Sequence, residues 1–191
     1  ERLSIGGITV ENRKCRVNLV GIGMGSKGTL TEEVRKIIAE SDVLIGATRM
    51  LEGFREKKKC CYAEYLPEKI RAILDEQEKK TRCTVLFSGD TGFYSGAEAV
   101  YKALQEEVRL GKLQAGITIC PGISSLSYLA ARAGKSWQDA KIVSTHGREA
   151  DVTACVRREK KVFLIVSGRS DLIRIGEELV AAGLSGVELT I

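Results

Sequence analysis

Residues 17–25 read VNLVGIGMG, an apolar run that ends in a turn with three glycines. The chain repeats this arrangement at residues 84–92 (TVLFSGDTG), 117–124 (ITICPGIS), 141–148 (KIVSTHGR) and 162–169 (VFLIVSGR). Short continuous apolar runs are typical of strands that are buried on both faces of a parallel sheet. The pattern therefore predicts an α/β fold in which each strand ends in a glycine-containing turn.

Amphipathic helices are predicted after several of these turns. Apolar residues recur at helical spacing in residues 30–41, 95–110, 124–133 and 170–182, and a glycine follows each of the last three segments. Thr29-x-x-Glu32 and Ser95-x-x-Glu98 fit the capping boxes that begin helices. Since parallel strands end at one edge of their sheet, where α/β proteins bind ligands, we expect the glycine turns to lie at that edge.

The composition excludes several classes of protein. The chain has 191 residues, of which 43% are hydrophobic and 29% are charged, so it is not a disordered chain. A net charge of +5 is too small by itself to indicate nucleic-acid binding. The six cysteines form no CxxC pair, which argues against a zinc site, and no apolar run is long enough for a membrane helix. We expect a cytoplasmic protein with Cys83 and Cys120 in its core.

Two domains are predicted, with the glycine-flanked segment 111–116 (GKLQAG) as the linker. Residues 1–116 form the first domain, which includes an additional N-terminal segment at residues 1–14. Residues 117–191 form the second domain. Residues 187–191 have the pattern of a strand in which the sequence stops, and we expect the second domain to be incomplete at its end.

The first turn contains the pattern GxGxxG at residues 23–28. A dinucleotide-binding fold also requires an acidic residue at the end of the second strand. Here the predicted second strand, residues 43–46, is followed by Ala47 and Thr48, which argues against NAD. No GxxxxGK[ST] is present, so a P-loop NTPase is excluded. A tight strand-to-helix turn without a ligand also explains these glycines.

Two other turns carry side chains with useful chemistry. Asp90 stands between glycines at a strand end, where its carboxylate can hold a polar or cationic ligand. Alternatively, Asp90 makes an Asx-turn and Tyr94 lies in the core. His146 is the only histidine and follows the fourth strand beside Arg148, which favours a functional role over a structural one. No GxSxG elbow is present, which argues against Ser-His-Asp hydrolysis.

Taken together, three segments resemble the tetrapyrrole methylases. Residues 17–38 (VNLVGIGMGSKGTLTEEVRKII) resemble the opening glycine-rich segment of that family. Residues 85–97 (VLFSGDTGFYSGA) are similar to its GDPxxY/F loop, and residues 121–134 (PGISSLSYLAARAG) to its PGxSS motif. With the W-x-D and S-x-HGR motifs that follow, the chain looks most like the CbiE type, which methylates C5 of the corrin ring precursor.

The resemblance implies a pair of small α/β domains with a cleft between them, usually in a homodimer. It implies S-adenosylmethionine as the cofactor and C5 of a (cobalt-)precorrin in cobalamin biosynthesis as the methyl acceptor. The matching motif positions place cofactor contacts at Met24, Ser88, Gly89, Asp90, Phe93, Ser124, Ser125 and Val166. Catalytic roles are assigned to Asp90 and His146.

The substrate side follows from the same resemblance. A precorrin carries many carboxylates, for which the guanidinium of Arg148 is a suitable partner. His146 and Tyr94 are assigned to the substrate with it, and Arg49 and Arg132 are weaker candidates. The protein needs no metal site of its own. A partner subunit would supply C15 methylation and decarboxylation.

Two positions depart from the family pattern. Met24 and Thr91 stand where the family usually has proline. Proline fixes a backbone angle that other residues leave free, so the first loop is expected to be more mobile here.

Three alternatives remain open at this point. A ribosomal RNA ribose methyltransferase of the same superfamily would need a basic face, and the nearest segment, residues 157–161 (RREKK), is short and includes an acid. A nucleotide-binding regulatory module would bind the cofactor without transferring a methyl group. A structural partner in a corrin-pathway complex would have lost the cleft altogether.

Overall fold

The computed structural model of the chain describes residues 15–54, 60–78, 80–145 and 150–191. The chain divides into two compact units, one ending at Ser125 and the other comprising Leu126–Ile191. Among the described residues, no helix is both long and apolar enough to cross a membrane.

The first unit contains a five-stranded sheet in the order β3-β2-β4-β1-β5. Its strands are β1 (Cys15–Gly21), β2 (Val43–Ile45), β3 (Cys60–Tyr62), β4 (Thr81–Phe87) and β5 (Ala115–Cys120). All four neighbouring pairs are parallel, and β1 pairs with β4 on one side and β5 on the other. The predicted α/β fold with a parallel sheet is therefore confirmed.

Helices connect these strands. They are α1 (Glu32–Glu40), α2 (Thr48–Leu51), α3 (Pro67–Asp75) and α4 (Ala97–Arg109). The hydroxyl of Thr31 caps α1 by accepting the Val34 N–H at 3.2 Å. The cap predicted at Thr29 is wrong, because Thr29 ends a short 3-10 turn (Lys27–Thr29) and its hydroxyl bonds within the preceding loop. Helix α4 begins one residue later than its box predicts, since Gly96 precedes its first residue, but the Ser95 hydroxyl accepts the Ala97 N–H at 3.2 Å as a cap would.

The apolar residues of the sheet alternate between two cores, as the period of a strand requires. One core contains Val17, Leu19 and Val85 with residues of α3 and α4, and the other contains Val20 and Leu86 with residues of α1. Cys83 lies in the first core and Cys120 in the second, as predicted. A hydrogen bond with Cys15 and burial raise the pKa of the Cys83 thiol, so this thiol is an uncharged core group.

The second unit is smaller. It contains β6 (Lys141–Ser144) paired in parallel with β7 (Val162–Ile165), and the helices α5 (Ser125–Arg132), α6 (Val152–Arg158) and α7 (Arg169–Ala181). Val152 of α6 and Ile175 and Leu179 of α7 form its buried core. Leu164 and Val166, in and just after β7, pack against that core.

The structure divides the chain later than the boundary predicted between residues 116 and 117. That boundary falls inside β5, which hydrogen-bonds along β1 and so belongs to the first sheet. The predicted linker at residues 111–116 is a tight connection, in which Gly111 adopts φ +71° after α4 and Leu113 is buried. Residues 187–191, predicted as a strand, belong to no strand because no described strand pairs with them.

Candidate active site

Three glycine-containing loops meet at one edge of the first sheet. They follow β1, β4 and β5, which are adjacent and parallel, so all three loops begin at the carboxyl ends of their strands. We call them the first loop (residues 22–31), the second loop (residues 88–96) and the third loop (residues 121–124). Their convergence is the arrangement in which α/β proteins bind ligands.

The first and second loops are joined backbone to backbone. Gly23 and Gly89 form an isolated antiparallel bridge, in which the Gly23 N–H donates to the Gly89 carbonyl at 3.0 Å. The Gly89 N–H donates in return to the Gly23 carbonyl at 2.8 Å. Both residues have positive φ, +62° and +69°, which only glycine adopts without strain.

The second and third loops are joined by Asp90. One carboxylate oxygen, Oδ2, accepts the Gly122 N–H at 2.9 Å, and Oδ1 accepts the Gly92 N–H at 2.8 Å. The second bond is the Asx-turn that the sequence left open for Asp90. Next to it, the buried Thr91 hydroxyl donates to the Cys120 carbonyl at 3.4 Å. Thr91 therefore fixes the second loop to β5 at the position where the family usually has proline.

The backbones at this junction are too close for side chains. A Cβ placed on Gly122 would lie 2.2 Å from the Gly89 oxygen and 2.6 Å from the Gly21 oxygen. A Cβ placed on Gly21 would lie 2.6 Å from the same Gly89 oxygen. Such distances are far inside van der Waals contact, so the junction of the three loops requires glycine at both positions.

The first loop brings Met24 to this junction. The Met24 N–H donates to the Thr29 hydroxyl at 3.1 Å, and the residue is 36% exposed. The methyl end of that side chain lies 3.8 Å from a Cβ built on Gly89. Met24 thus presents an apolar, polarisable thioether beside the second loop.

Most of the predicted cofactor residues are brought together at this edge. Ser88 is exposed and lies directly after β4, while Gly89, Asp90 and Phe93 are half-buried in the second loop. Ser124 and Ser125 are half-buried at the end of the third loop and the start of α5. Val166 lies in the second unit, directly after β7.

Tyr94 is not a core residue, so that alternative interpretation of the sequence is wrong. The residue is 57% exposed, and its ring packs edge-on against Phe93 with centroids 5.1 Å apart. The backbone has φ +48°, a strained value for a residue with a side chain. Strained, exposed residues of this kind cluster at binding sites.

The second unit holds a polar cluster at the carboxyl edge of its own sheet. Asp171 Oδ2 accepts the Thr145 hydroxyl at 2.6 Å and the Ser167 N–H at 3.2 Å, and Arg174 bonds to the other oxygen. Mainly because of the Thr145 hydrogen bond, and then that of Arg174, the pKa of Asp171 falls to about 2. Asp171 thereby connects Thr145, directly after β6, to Ser167, two residues after β7.

Asp171 is not among the site residues predicted from the sequence. Its one sequence signal is the position in the first turn of α7, where acidic residues are favoured. The predicted residues His146 and Arg148, which closely follow Thr145, lie outside the described residues. Arg49 is exposed in α2, and Arg132 is exposed at the end of α5. Within the described part of the chain, no three His, Cys, Asp or Glu side chains are grouped as metal ligands.

Two curated proteins are similar to this chain. A probable cobalt-precorrin-7 C(5)-methyltransferase of Methanocaldococcus jannaschii is 30% identical over 155 residues, which cover 78% of this chain and 70% of the relative. The precorrin-6Y C(5,15)-methyltransferase [decarboxylating] of a Sinorhizobium species is 28% identical over 178 residues. That match covers 92% of this chain and 41% of the relative, so the chain spans less than half of that protein.

The fold is also that of solved tetrapyrrole-modifying enzymes. A uroporphyrin-III C-methyl transferase from Thermus thermophilus, solved in complex with S-adenyl homocysteine, superposes with a TM-score of 0.58 at 20% identity. The superposition covers 88% of this chain and 72% of the other. Residues 16–188 match the family described as Tetrapyrrole (Corrin/Porphyrin) Methylases, and the chain therefore belongs to this family.

Proposed function

We propose that this protein transfers the methyl group of S-adenosylmethionine to C5 of a (cobalt-)precorrin in cobalamin biosynthesis. The observation that carries the proposal is the junction of three loops around the Gly89 carbonyl, held by Asp90 at the edge where α/β proteins bind ligands. The names of the two curated relatives, both methyltransferases that act at C5, support the choice of acceptor carbon.

The cofactor side is the junction itself. We propose contacts from Met24, Ser88, Gly89, Asp90, Phe93, Ser124 and Ser125, and from Val166. Ser88 is exposed, and the half-buried Gly89 has no side chain of its own, which leaves room for a ligand to approach the backbone. Both oxygens of Asp90 already accept backbone N–H groups. Its proposed catalytic contribution is therefore electrostatic, a fixed negative charge near the sulfonium, rather than proton transfer.

The substrate side is proposed at Tyr94, His146 and Arg148. Tyr94 exposes its ring next to the cofactor residues, where a flat macrocycle can stack on it. Arg148 is assigned to a substrate carboxylate, since a guanidinium binds carboxylates through two parallel hydrogen bonds. His146 is assigned to orienting the ring or to receiving the proton that leaves C5. The net charge of +5 suits a polyanionic substrate.

Methyl transfer requires mainly that the methyl donor and the ring carbon are held in line. S-adenosylmethionine supplies an electrophilic methyl group; the carbon–sulfur bond breaks with its electron pair remaining on sulfur, and a carbon–carbon bond forms at the nucleophilic ring position. The protein therefore needs no strong nucleophile. Holding two reactants in line is worth several kcal/mol of barrier, which suits a site built from rigid backbone junctions.

The assembly is part of the proposal. The Sinorhizobium relative carries both C5 and C15 activities in its name and extends well beyond the matched region. We propose that a separate partner subunit supplies C15 methylation and decarboxylation for this chain, and that the chain acts as a homodimer.

The test is incubation with labelled S-adenosylmethionine and a series of precorrins and cobalt-precorrins, followed by mass analysis. The expected result is a product heavier by one labelled methyl group, placed at C5 by NMR. Cofactor binding without transfer to any precorrin would instead favour the regulatory module. Salt-sensitive RNA binding with ribose methylation would favour the RNA methyltransferase.

A further inference from the structure

The hydroxyl of Thr29 is the centre of the first loop. It accepts the Met24 N–H at 3.1 Å and lies 3.3 Å from the Ser26 hydroxyl, which donates to it. It donates its own proton to the Ser26 carbonyl at 2.9 Å, and the Thr29 N–H donates to the same carbonyl at 3.0 Å. One buried side chain thus closes a ring of hydrogen bonds across residues 24–29.

The same residue packs against the bridge between the first two loops. Thr29 is only 5% exposed, and a Cβ placed on Gly23 would lie 2.6 Å from its carbonyl oxygen and 2.8 Å from its hydroxyl oxygen. Gly23 in turn exchanges two hydrogen bonds with Gly89. Thr29 therefore lies directly against Gly23, which is hydrogen-bonded to Gly89, the residue at the junction of the three loops.

We propose that Thr29 is a positioning residue for the cofactor, which acts through Met24 and Gly23 and touches no ligand itself. The inference rests on the proposed function of this edge as the cofactor site. A residue other than proline at position 24 has a free φ angle and an N–H group. The Thr29 hydroxyl uses that N–H to fix the backbone, so the loop regains the rigidity that methionine alone does not supply.

The central test compares Thr29→Val with Thr29→Ser in the full chain. Valine keeps the shape of threonine but removes both the acceptor for Met24 and the donor to Ser26, whereas serine keeps the hydroxyl. We expect the Kd for S-adenosylhomocysteine, measured by calorimetry, to rise about tenfold in Thr29→Val, the scale of one lost hydrogen bond. Thr29→Ser should restore binding to within about twofold of the wild type.

The matched control is Thr31→Val. Thr31 lies two positions further along and uses its hydroxyl to cap α1, outside the ring of hydrogen bonds. This variant should melt at a lower temperature than the wild type but bind S-adenosylhomocysteine with an unchanged Kd. Equal weakening in Thr31→Val and Thr29→Val would overturn the inference, as would wild-type affinity in Thr29→Val or valine-like affinity in Thr29→Ser.

A second measurement does not depend on the cofactor. Exchange of the Met24 amide hydrogen in the ligand-free protein, followed by NMR, should be faster in Thr29→Val than in the wild type or Thr31→Val. If the wild type binds no S-adenosylhomocysteine, the proposed function fails. Faster exchange in Thr29→Val would then still establish that the Thr29 hydroxyl fixes the backbone of the first loop. Unchanged exchange would overturn this role of Thr29 as well.

Discussion

Asp90 and Gly122 join two loops that are 32 positions apart in sequence through a single hydrogen bond of 2.9 Å between a carboxylate and a backbone N–H. The same carboxylate holds the turn of its own loop through Gly92. Since the Gly89 carbonyl lies against Gly122, the position of this carbonyl depends on Asp90. Asp90 thus holds the second and third loops together at the proposed cofactor site.

Asp90→Ala should weaken the binding of S-adenosylhomocysteine at least about tenfold, because it leaves two backbone N–H groups without an acceptor and lets the second and third loops separate. Calorimetry on the purified variant measures the Kd directly. His146→Ala is the comparison and should change the Kd little, since His146 is assigned to the substrate. A larger loss in His146→Ala would show that the two sides of the site are assigned the wrong way round.

Gly122→Ala should be strongly destabilising even without ligand. The added Cβ would lie 2.2 Å from the Gly89 oxygen, and the backbones on both sides must move to admit it. We expect a loss of about 1–3 kcal/mol in the free energy of unfolding, measured by urea denaturation. In Gly53→Ala, where the added Cβ meets no described atom within 4 Å, stability should be nearly unchanged. Similar losses in the two variants would mean that the loop junction is not tightly packed.

The parallel sheet and its functional edge could be predicted from the sequence because both depend on local patterns. Each buried strand is a short apolar run, and each turn after it contains glycine. In contrast, the domain boundary was misplaced, because residues 117–120 have the same apolar pattern whichever sheet they join. Only their pairing with β1, more than 90 positions earlier, decides the question.

The roles of individual hydroxyl groups could not be predicted from the sequence for a similar reason. Thr29 and Thr31 both precede Glu32, and threonine is a residue that can cap a helix. In the structure the Thr31 hydroxyl caps α1, whereas the Thr29 hydroxyl accepts the Met24 N–H within the first loop. The bond between Thr145 and Asp171 spans 26 positions and has no local pattern. Such contacts are decided by tertiary packing.

Arg148→Ala should impair the capture of the substrate and leave the cofactor site intact. We expect kcat/KM for the precorrin to fall by roughly tenfold to a hundredfold through KM, as expected for a lost charge-assisted hydrogen bond. The Kd for S-adenosylhomocysteine should stay at its wild-type value. The same measurements on Arg132→Ala test the weaker arginine candidate for the substrate, which is exposed at the end of α5. Loss of cofactor and substrate binding together in Arg148→Ala would remove its assigned role.

Asp171→Asn should change how stability depends on pH. The Thr145 and Arg174 hydrogen bonds lower the pKa of Asp171 from 3.8 to about 2, so the folded protein favours the ionised carboxylate more than the unfolded chain does. The resulting stabilisation is complete above about pH 4 and is lost as the pH falls toward 2. Melting temperatures of the wild type and the variant, recorded from pH 7 down to pH 2, should therefore differ most at neutral pH and converge in acid. A difference that stays constant over this range would show that the Asp171 carboxylate stabilises the end of β6 by shape alone, without its charge.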